Sequence, residues 1–193
     1  MSRALLYAAA LMLSGCAAPS APARAVATEA ELRPDYDAQM RAAIREQAQR
    51  DYGADCGVVS VPDRAINPVE VTGGGLSEYV VSFGRVLCQA DGGPTTRWEG
   101  TGGDWLQFWS GSGGPPRIIL EQSMYGFSVE PGRVIAQQHG TFCEDGAGPN
   151  LCLVTYLWNP QTRRLEIASR RYFDGPEDGT PSPVQYDGAK LSR

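Results

Sequence analysis

His139 is the side chain in this sequence best suited to catalysis, because an imidazole gains and loses protons near neutral pH. It is the only histidine in the 193 residues, so any mechanism with an imidazole base depends on it. Glu144 and Asp145 follow closely and could orient its ring, which predicts a hydrolase as one alternative. The sequence favours the other interpretation, a histidine at a strand end that makes an ordinary hydrogen bond. We therefore assign no catalytic residue.

Four cysteines form the second group with potential chemistry: Cys56, Cys88, Cys143 and Cys152. None of them stands in C-x-x-C spacing and only one histidine accompanies them, which argues against a zinc site. An even number of cysteines indicates disulfides in an oxidising compartment. Three pairings are open. We favour Cys56–Cys88 with Cys143–Cys152, because the second pair flanks a polar loop whose closure contributes about 2–3 kcal/mol.

The segment 70–78, EVTGGGLSE, could bind a hard cation through oxygen atoms of Glu70, Thr72 and Glu78. It resembles the D-x-N-x-D-G-x-x-D loops of many secreted bacterial proteins, in which oxygen ligands wrap calcium. Gly74 stands where a central carboxylate belongs, and calcium takes about six to eight oxygens. We therefore expect a glycine-rich hairpin, with calcium as the alternative, and predict no cofactor.

Two sets of side chains could bind polymers. Guanidinium groups recognise phosphates and carboxylates, and four arginines bracket the last predicted hairpin: Arg163, Arg164, Arg170 and Arg171. The favoured alternative is that these charges protect a strand edge from aggregation. Tryptophans could line a sugar-binding surface, although we expect them in the core: Trp98, Trp105, Trp109 and Trp158.

The first residues of the chain predict export. Arg3 supplies a positive charge, the apolar run 4–13 follows, and small residues come next. The run is shorter than the roughly 20 residues that span a bilayer. This pattern predicts a secretory signal peptide over residues 1–15. Cleavage near Ala25, which would release a soluble secreted protein, is the alternative.

The segment Leu13-Ser14-Gly15-Cys16 resembles the lipobox of bacterial lipoprotein precursors at all four positions. The resemblance implies cleavage before Cys16, diacylglycerol on its sulfur and acylation of the new N-terminus. Two or three acyl chains anchor a protein stably, whereas one does so only marginally. Ala17, which is not aspartate, implies sorting to the outer membrane of a Gram-negative cell, facing the periplasm.

The chain after Cys16 predicts one helix that follows a linker. Residues 16–32 are rich in alanine and proline, which predicts a flexible tether. Residues 34–52 predict a helix that starts with Pro34 at its first position and stops at Gly53. An apolar stripe recurs every four residues and should pack on the domain: Tyr36, Met40, Ile44 and Ala48.

The remaining sequence predicts short strands separated by turn residues: 57–61, 69–71, 78–83, 86–89, 105–110, 117–121, 126–129, 133–139, 151–158 and 163–170. Residues 105–109 are apolar on both faces, which predicts a central, covered strand. We expect a single α+β domain over 33–173, with the helix packed on a mainly antiparallel β-sheet or small β-sandwich stapled by disulfides. Residues 174–193 should be a disordered tail.

These features together predict the localisation of the protein more clearly than its activity. A net charge of −5 argues against nucleic-acid binding. The sequence favours a non-enzymatic binding or structural module that a lipid anchors to the membrane, with an envelope protein or cell-wall polymer as partner. The alternatives are a cell-wall hydrolase that uses His139 and an inhibitor of a lytic enzyme that presents the loop between Cys143 and Cys152. The helix, the loop 70–78 and the Cys-bounded hairpin also resemble small uncharacterised secreted proteins of proteobacteria, which implies no activity.

Overall fold

A computed structural model of the protein describes residues 29–75, 78–90, 93–95, 99–100, 102–143 and 151–173. The chain divides into two units, Met1–Arg33 and Pro34–Arg193, and the fold below is that of the second. Cys16, most of the predicted tether and the predicted tail lie outside the described residues. Among the helical residues described, no stretch is long and apolar enough to cross a membrane.

The helix α1 spans Glu29–Cys56 and is longer than predicted at both ends. It begins inside the predicted tether, so Pro34 lies within the helix and not at its first position. Gly53 does not end it either. The helix ends before Gly57, whose φ of 70° and N–H bond to the Gly53 carbonyl, 2.8 Å, form a left-handed C-terminal cap.

The chain after α1 forms β-strands that are connected by turns and by short 3-10 helices. Their bounds are β1 Val58–Ser60, β2 Ile66–Val69, β3 Glu78–Ser82, β4 Leu87–Ala90, β5 Gly93–Thr95, β6 Glu99–Gly100, β7 Gly103–Ser110, β8 Arg117–Met124, β9 Gly126–Glu130, β10 Arg133–His139, β11 Leu151–Asn159 and β12 Arg164–Phe173. The predicted strands are present with shifted ends. The sequence did not predict β5 and β6, and β2 begins before its predicted start at Val69.

The strands form three antiparallel sheets within the described residues. The five-stranded sheet has the order β2-β3-β7-β6, with β8 on the other edge of β7. The four-stranded sheet has the order β12-β11-β10-β9, and the small sheet has the order β1-β4-β5. β7 is therefore a central strand, as its sequence predicted.

The five-stranded sheet separates two apolar clusters. Toward α1 it presents Tyr79, Val81 and Trp109, which pack with Met40 and Ile44 of the predicted stripe. Its other face contributes Val80, Leu106 and Phe108. These side chains meet Val134, Val154 and Tyr156 on the inner face of the four-stranded sheet. Side chains alternate between the faces along a strand, so one sheet serves both clusters. The fold is α+β, with α1 on one face of a two-sheet sandwich.

Polar contacts fix α1 at its first turns. Tyr79 donates a hydrogen bond to Asp37, 2.7 Å, and Arg41 forms an ion pair with the same carboxylate, 2.9 Å. Burial raises the pKa of Asp37, but the hydrogen bonds from Tyr79 and Arg41 outweigh it and hold the pKa below its ordinary value. Gly111 N–H donates to the Tyr36 hydroxyl, 3.1 Å. These bonds join the helix to β3 and to the loop after β7.

Gly132 connects loops of the two large sheets. Its N–H donates to the Val71 carbonyl at 2.6 Å, and its own carbonyl accepts the Trp158 N–H at 2.8 Å. Its φ of 83° lies in the left-handed region that favours glycine. The loops that follow β2 and β9 therefore meet the last residues of β11 at one end of the domain.

Candidate functional site

Glu78, one of the three proposed calcium ligands, lies fully buried at the start of β3. One carboxylate oxygen accepts the backbone N–H groups of Val71 (2.8 Å) and Thr72 (3.1 Å). The other accepts the hydroxyls of Thr72 (2.8 Å) and Ser110 (3.4 Å). A carboxylate has about four lone-pair sites, and protein donors fill them.

The three candidate calcium ligands therefore do not converge on an open site. Glu70 is exposed, while Thr72 donates its hydroxyl to Glu78 and does not point it outward. In the ranges that the structure describes, no group of three or more His, Cys, Asp or Glu side chains could hold a metal ion. The geometry corresponds to the favoured prediction, a glycine-rich hairpin that a buried carboxylate braces.

His139 ends β10 and makes a local hydrogen bond. Its Nδ1 accepts the Thr141 N–H at 3.3 Å and lies 3.1 Å from the Thr141 hydroxyl. The ring thereby caps the short 3-10 helix Gly140–Phe142. This is the position and the kind of contact that the strand-end interpretation describes. The proposed catalytic partners Glu144 and Asp145 lie outside the described residues.

The cysteines form the two favoured disulfides. Cys56 at the end of α1 bonds Cys88 of β4, with Cα atoms 4.9 Å apart; we call this the helix disulfide. Cys143 bonds Cys152 of β11, with Cα atoms 5.7 Å apart; we call this the hairpin disulfide. These four cysteines are therefore oxidised and have a structural role, and each disulfide crosslinks a different part of the fold. Residues 144–150, the loop of the inhibitor hypothesis, lie outside the described residues.

Arg163 is one of the four arginines that the sequence suggested as a polymer-binding patch. It occupies the turn between β11 and β12, where its N–H donates to the Asn159 carbonyl, 2.8 Å. Its φ of 56° is the only positive value for a non-glycine residue in the described ranges, and this conformation is unfavourable for arginine. Its guanidinium extends to the loop after β7 and donates to the Ser112 carbonyl.

Arg117, which the sequence did not suggest, lies beside Arg163. At the start of β8, it donates to the same Ser112 carbonyl at 3.4 Å. Burial, and then the charge of Arg163, lower the pKa of Arg117. Within the described chain no carboxylate forms an ion pair with either guanidinium. We call these two side chains the arginine pair.

The other predicted arginines do not join this pair. Arg164, Arg170 and Arg171 are exposed on β12. An extended strand rises about 3.3 Å per residue, which places Arg170 about 20 Å along the strand from Arg164. Arg170 and Arg171 line a separate, shallow depression of about 400 Å³. The four arginines are thus not one patch.

The described tryptophans do not form a shared surface. Trp109 is buried on the helix side of β7, and its indole N–H donates to Gln107, 3.1 Å. Trp105 packs at the edge of the same cluster, whereas Trp158 packs against the cluster between the sheets. The prediction that tryptophans belong to the core fits these three residues, and Trp98 lies outside the described residues.

The chain matches no known family model, no curated protein and no solved structure. Its functional groups must therefore be judged by their geometry. Glu78 and His139 are engaged in local hydrogen bonds, and the cysteines are oxidised. The arginine pair differs from them, because two cations converge on one carbonyl oxygen and no carboxylate among the described residues forms an ion pair with them. This arrangement can bind a ligand reversibly through charge and hydrogen bonds.

Proposed function

We propose that this protein is a lipoprotein of the bacterial envelope, anchored by lipids on Cys16 to the outer membrane and facing the periplasm. Its folded unit binds an envelope polymer or protein without catalysing a reaction. The observation that carries the proposal is a contrast within the described residues. Glu78 and His139 are already hydrogen-bonded, whereas no carboxylate there forms an ion pair with the arginine pair.

The anchor is supported by two independent features. The lipobox-like segment ends at Cys16 and follows a charged residue and a short apolar run. The other cysteines form disulfides, which persist in exported proteins and are rare in reducing compartments. An exported chain with a lipid-bearing cysteine would remain at a membrane surface.

A binding role is supported by how the candidate catalytic groups are used. The Nδ1 atom of His139 accepts a backbone N–H, and the carboxylate of Glu78 is buried and fully hydrogen-bonded. Neither presents the free acceptor and open surface that a general base needs. Guanidinium groups that lack a counter-charge are suited to hold anionic groups.

The anchor is tested with the full chain expressed in a Gram-negative host with a C-terminal tag. We expect mass spectrometry of the membrane fraction to find Cys16 as an N-terminal residue carrying acyl chains. Cys16→Ser should lose the acyl chains and leave the outer membrane. Ser14→Ala, which keeps a small residue in the lipobox, is the control and should behave like wild type. An unmodified N-terminus elsewhere in wild type would overturn the proposal.

The choice between binding and catalysis is tested on isolated cell-wall sacculi. Lipidated wild-type protein and His139→Ala are mixed with sacculi in neutral detergent. Sedimentation measures binding, and soluble sugar or peptide fragments measure cleavage. We expect equal co-sedimentation of both proteins and no fragments. Fragment release that His139→Ala abolishes would establish the hydrolase alternative, and absence of binding by wild type would exclude this polymer as the partner.

A further inference from the structure

The arginine pair is built by two turns from different sheets. Arg117 begins β8 of the five-stranded sheet, and Arg163 closes the hairpin of the four-stranded sheet. Both donate to the Ser112 carbonyl, so one oxygen atom holds two cations side by side. A single carbonyl carries only a partial negative charge, which leaves most of the charge of the pair uncompensated.

The loop beneath the pair is shaped to admit both guanidinium groups. A Cβ atom at Gly113 would lie 2.8 Å from an Arg163 nitrogen, and one at Gly114 would lie 3.2 Å from the same atom. A Cβ at Gly114 would also lie 3.8 Å from an Arg117 nitrogen. The space above these glycines is therefore occupied by cationic groups.

The backbone at Arg163 adds an independent indication. Glycine or asparagine occupies the left-handed conformation at little cost, whereas arginine does not. The hairpin turn alone does not require a long side chain, because Asn159 already accepts the N–H groups of Gln161 (2.9 Å) and Thr162 (3.3 Å). The turn therefore sets the left-handed conformation at position 163 but does not favour arginine there, so the cationic side chain at a strained position is an indication of function.

We propose that the arginine pair is a binding site for a phosphate group. This inference rests on the proposed binding function and names its ligand class. A phosphate monoester carries up to two negative charges and accepts several hydrogen bonds at once, which matches two forked guanidinium groups. A carboxylate carries one negative charge and would neutralise only half of the pair. The phosphate belongs either to a lipid headgroup or to a soluble molecule or polymer.

The site is tested by titrating the lipidated full chain in a neutral sugar detergent with sodium phosphate and, separately, with glycerol phosphate. Sodium chloride keeps the ionic strength constant, because screening alters exposed charges. Backbone amide shifts of Gly113 and Gly114 report binding. We expect a saturable change with both phosphates, and a much weaker response to sodium acetate.

Three variants distinguish phosphate binding at the arginine pair from nonspecific attraction by positive charge. Arg163→Gly suits the left-handed turn and removes one guanidinium, while Arg117→Gln removes the other. Each should weaken phosphate binding about tenfold or more, since one charge-assisted contact is lost. Arg164→Ala removes an equal charge next to the pair and should bind like wild type. Thermal melts of each variant check that the fold is retained.

The remaining outcomes identify the source of the phosphate and show whether the arginine pair binds phosphate at all. Saturation only in mixed micelles that contain phosphatidic acid, whose headgroup is a phosphate monoester, would assign the ligand to a lipid headgroup. An equal response to acetate, no saturable response to any phosphate, or an equal loss in Arg164→Ala would overturn the phosphate site. Unchanged sacculus binding by Arg163→Gly, together with lost phosphate binding, would leave the proposed binding function intact and separate it from this site.

Discussion

Replacing Glu78 should show how strongly a buried carboxylate braces the glycine-rich hairpin. Glu78→Ala removes the acceptor for the N–H groups of Val71 and Thr72 and for two hydroxyls. Glu78→Gln keeps one oxygen for the two N–H groups. Its amide nitrogen can donate to the hydroxyl oxygens of Thr72 and Ser110, because a hydroxyl both donates and accepts.

The two substitutions should therefore differ in magnitude. Each buried donor left without an acceptor costs about 1–3 kcal/mol. The Val71 N–H and the Ser110 hydroxyl are buried, whereas Thr72 can partly reach water, so we expect a loss of about 3–5 kcal/mol for Glu78→Ala. Glu78→Gln loses mainly the charge assistance of its hydrogen bonds, about 1–2 kcal/mol.

Urea unfolding followed by tryptophan fluorescence, with both disulfides intact, measures these losses. With a slope of about 2 kcal/mol per molar urea, Glu78→Ala should lower the midpoint by about 1.5–2.5 M and Glu78→Gln by about 0.5–1 M. Glu70→Gln, at an exposed position, is the control and should not move it. Equal losses for the two Glu78 variants would refute the reasoning. A midpoint that calcium chloride raises in wild type but not in Glu78→Gln would establish the calcium alternative.

Three further predictions concern other parts of the fold. Because the pKa of Asp37 is lowered on folding, the stability advantage of wild type over Asp37→Asn should be full above about pH 4 and disappear as the pH falls through the folded pKa. Gly73→Ala should cost about 1 kcal/mol for its positive φ, and Gly113→Ala about 2 kcal/mol because it also displaces Arg163 from Ser112. On the chain-entropy model, removing the helix disulfide (separation 32) should cost about 3.7 kcal/mol, against about 2.6 kcal/mol for the hairpin disulfide (separation 9).

Denaturant unfolding measures each of these values, with the pH varied for Asp37. A pH-independent difference for Asp37→Asn would contradict the role of the charged carboxylate. Equal costs at Gly73 and Gly113 would show that the guanidinium moves aside freely. A larger loss on removing the hairpin disulfide than on removing the helix disulfide would mean that strain or packing, and not loop length, sets their contributions.

Periodicity predicted the main elements because it reflects burial directly. The four-residue stripe on α1 packs as expected, with Met40 and Ile44 buried, and β7 is the covered central strand. The predicted ends of α1 were wrong because the helix continues past both local boundary signals, Pro34 and Gly53. Helix-forming residues precede Pro34, and the helix disulfide holds the last turn at Cys56 past Gly53. β5 and β6 are only three and two residues long, too short to show any alternation.

The arginine pair could not be predicted from sequence. Arg117 and Arg163 are far apart in the chain, and only the packing of the two sheets brings their hairpins together. The single local signal was the five-residue turn 159–163, whose last position commonly takes the left-handed conformation. The disulfide pairing was predictable because the polar composition of the loop between Cys143 and Cys152 favoured one of the three possible pairings. The local hydrogen bond of His139 was predictable because this residue stood at the end of a predicted strand.

The hydrogen bonds of Gly132 restrict motion between the two large sheets. Its N–H and carbonyl belong to consecutive peptide units, and they link the loop after β2 to β11 through one residue. Gly132 is held in the four-stranded sheet by its bond to Trp158, so sliding that sheet over the other would have to stretch the bond from Gly132 to Val71. The end of the domain that carries the arginine pair should therefore move as one rigid body, and a ligand there would meet two guanidinium groups whose spacing is fixed before it arrives.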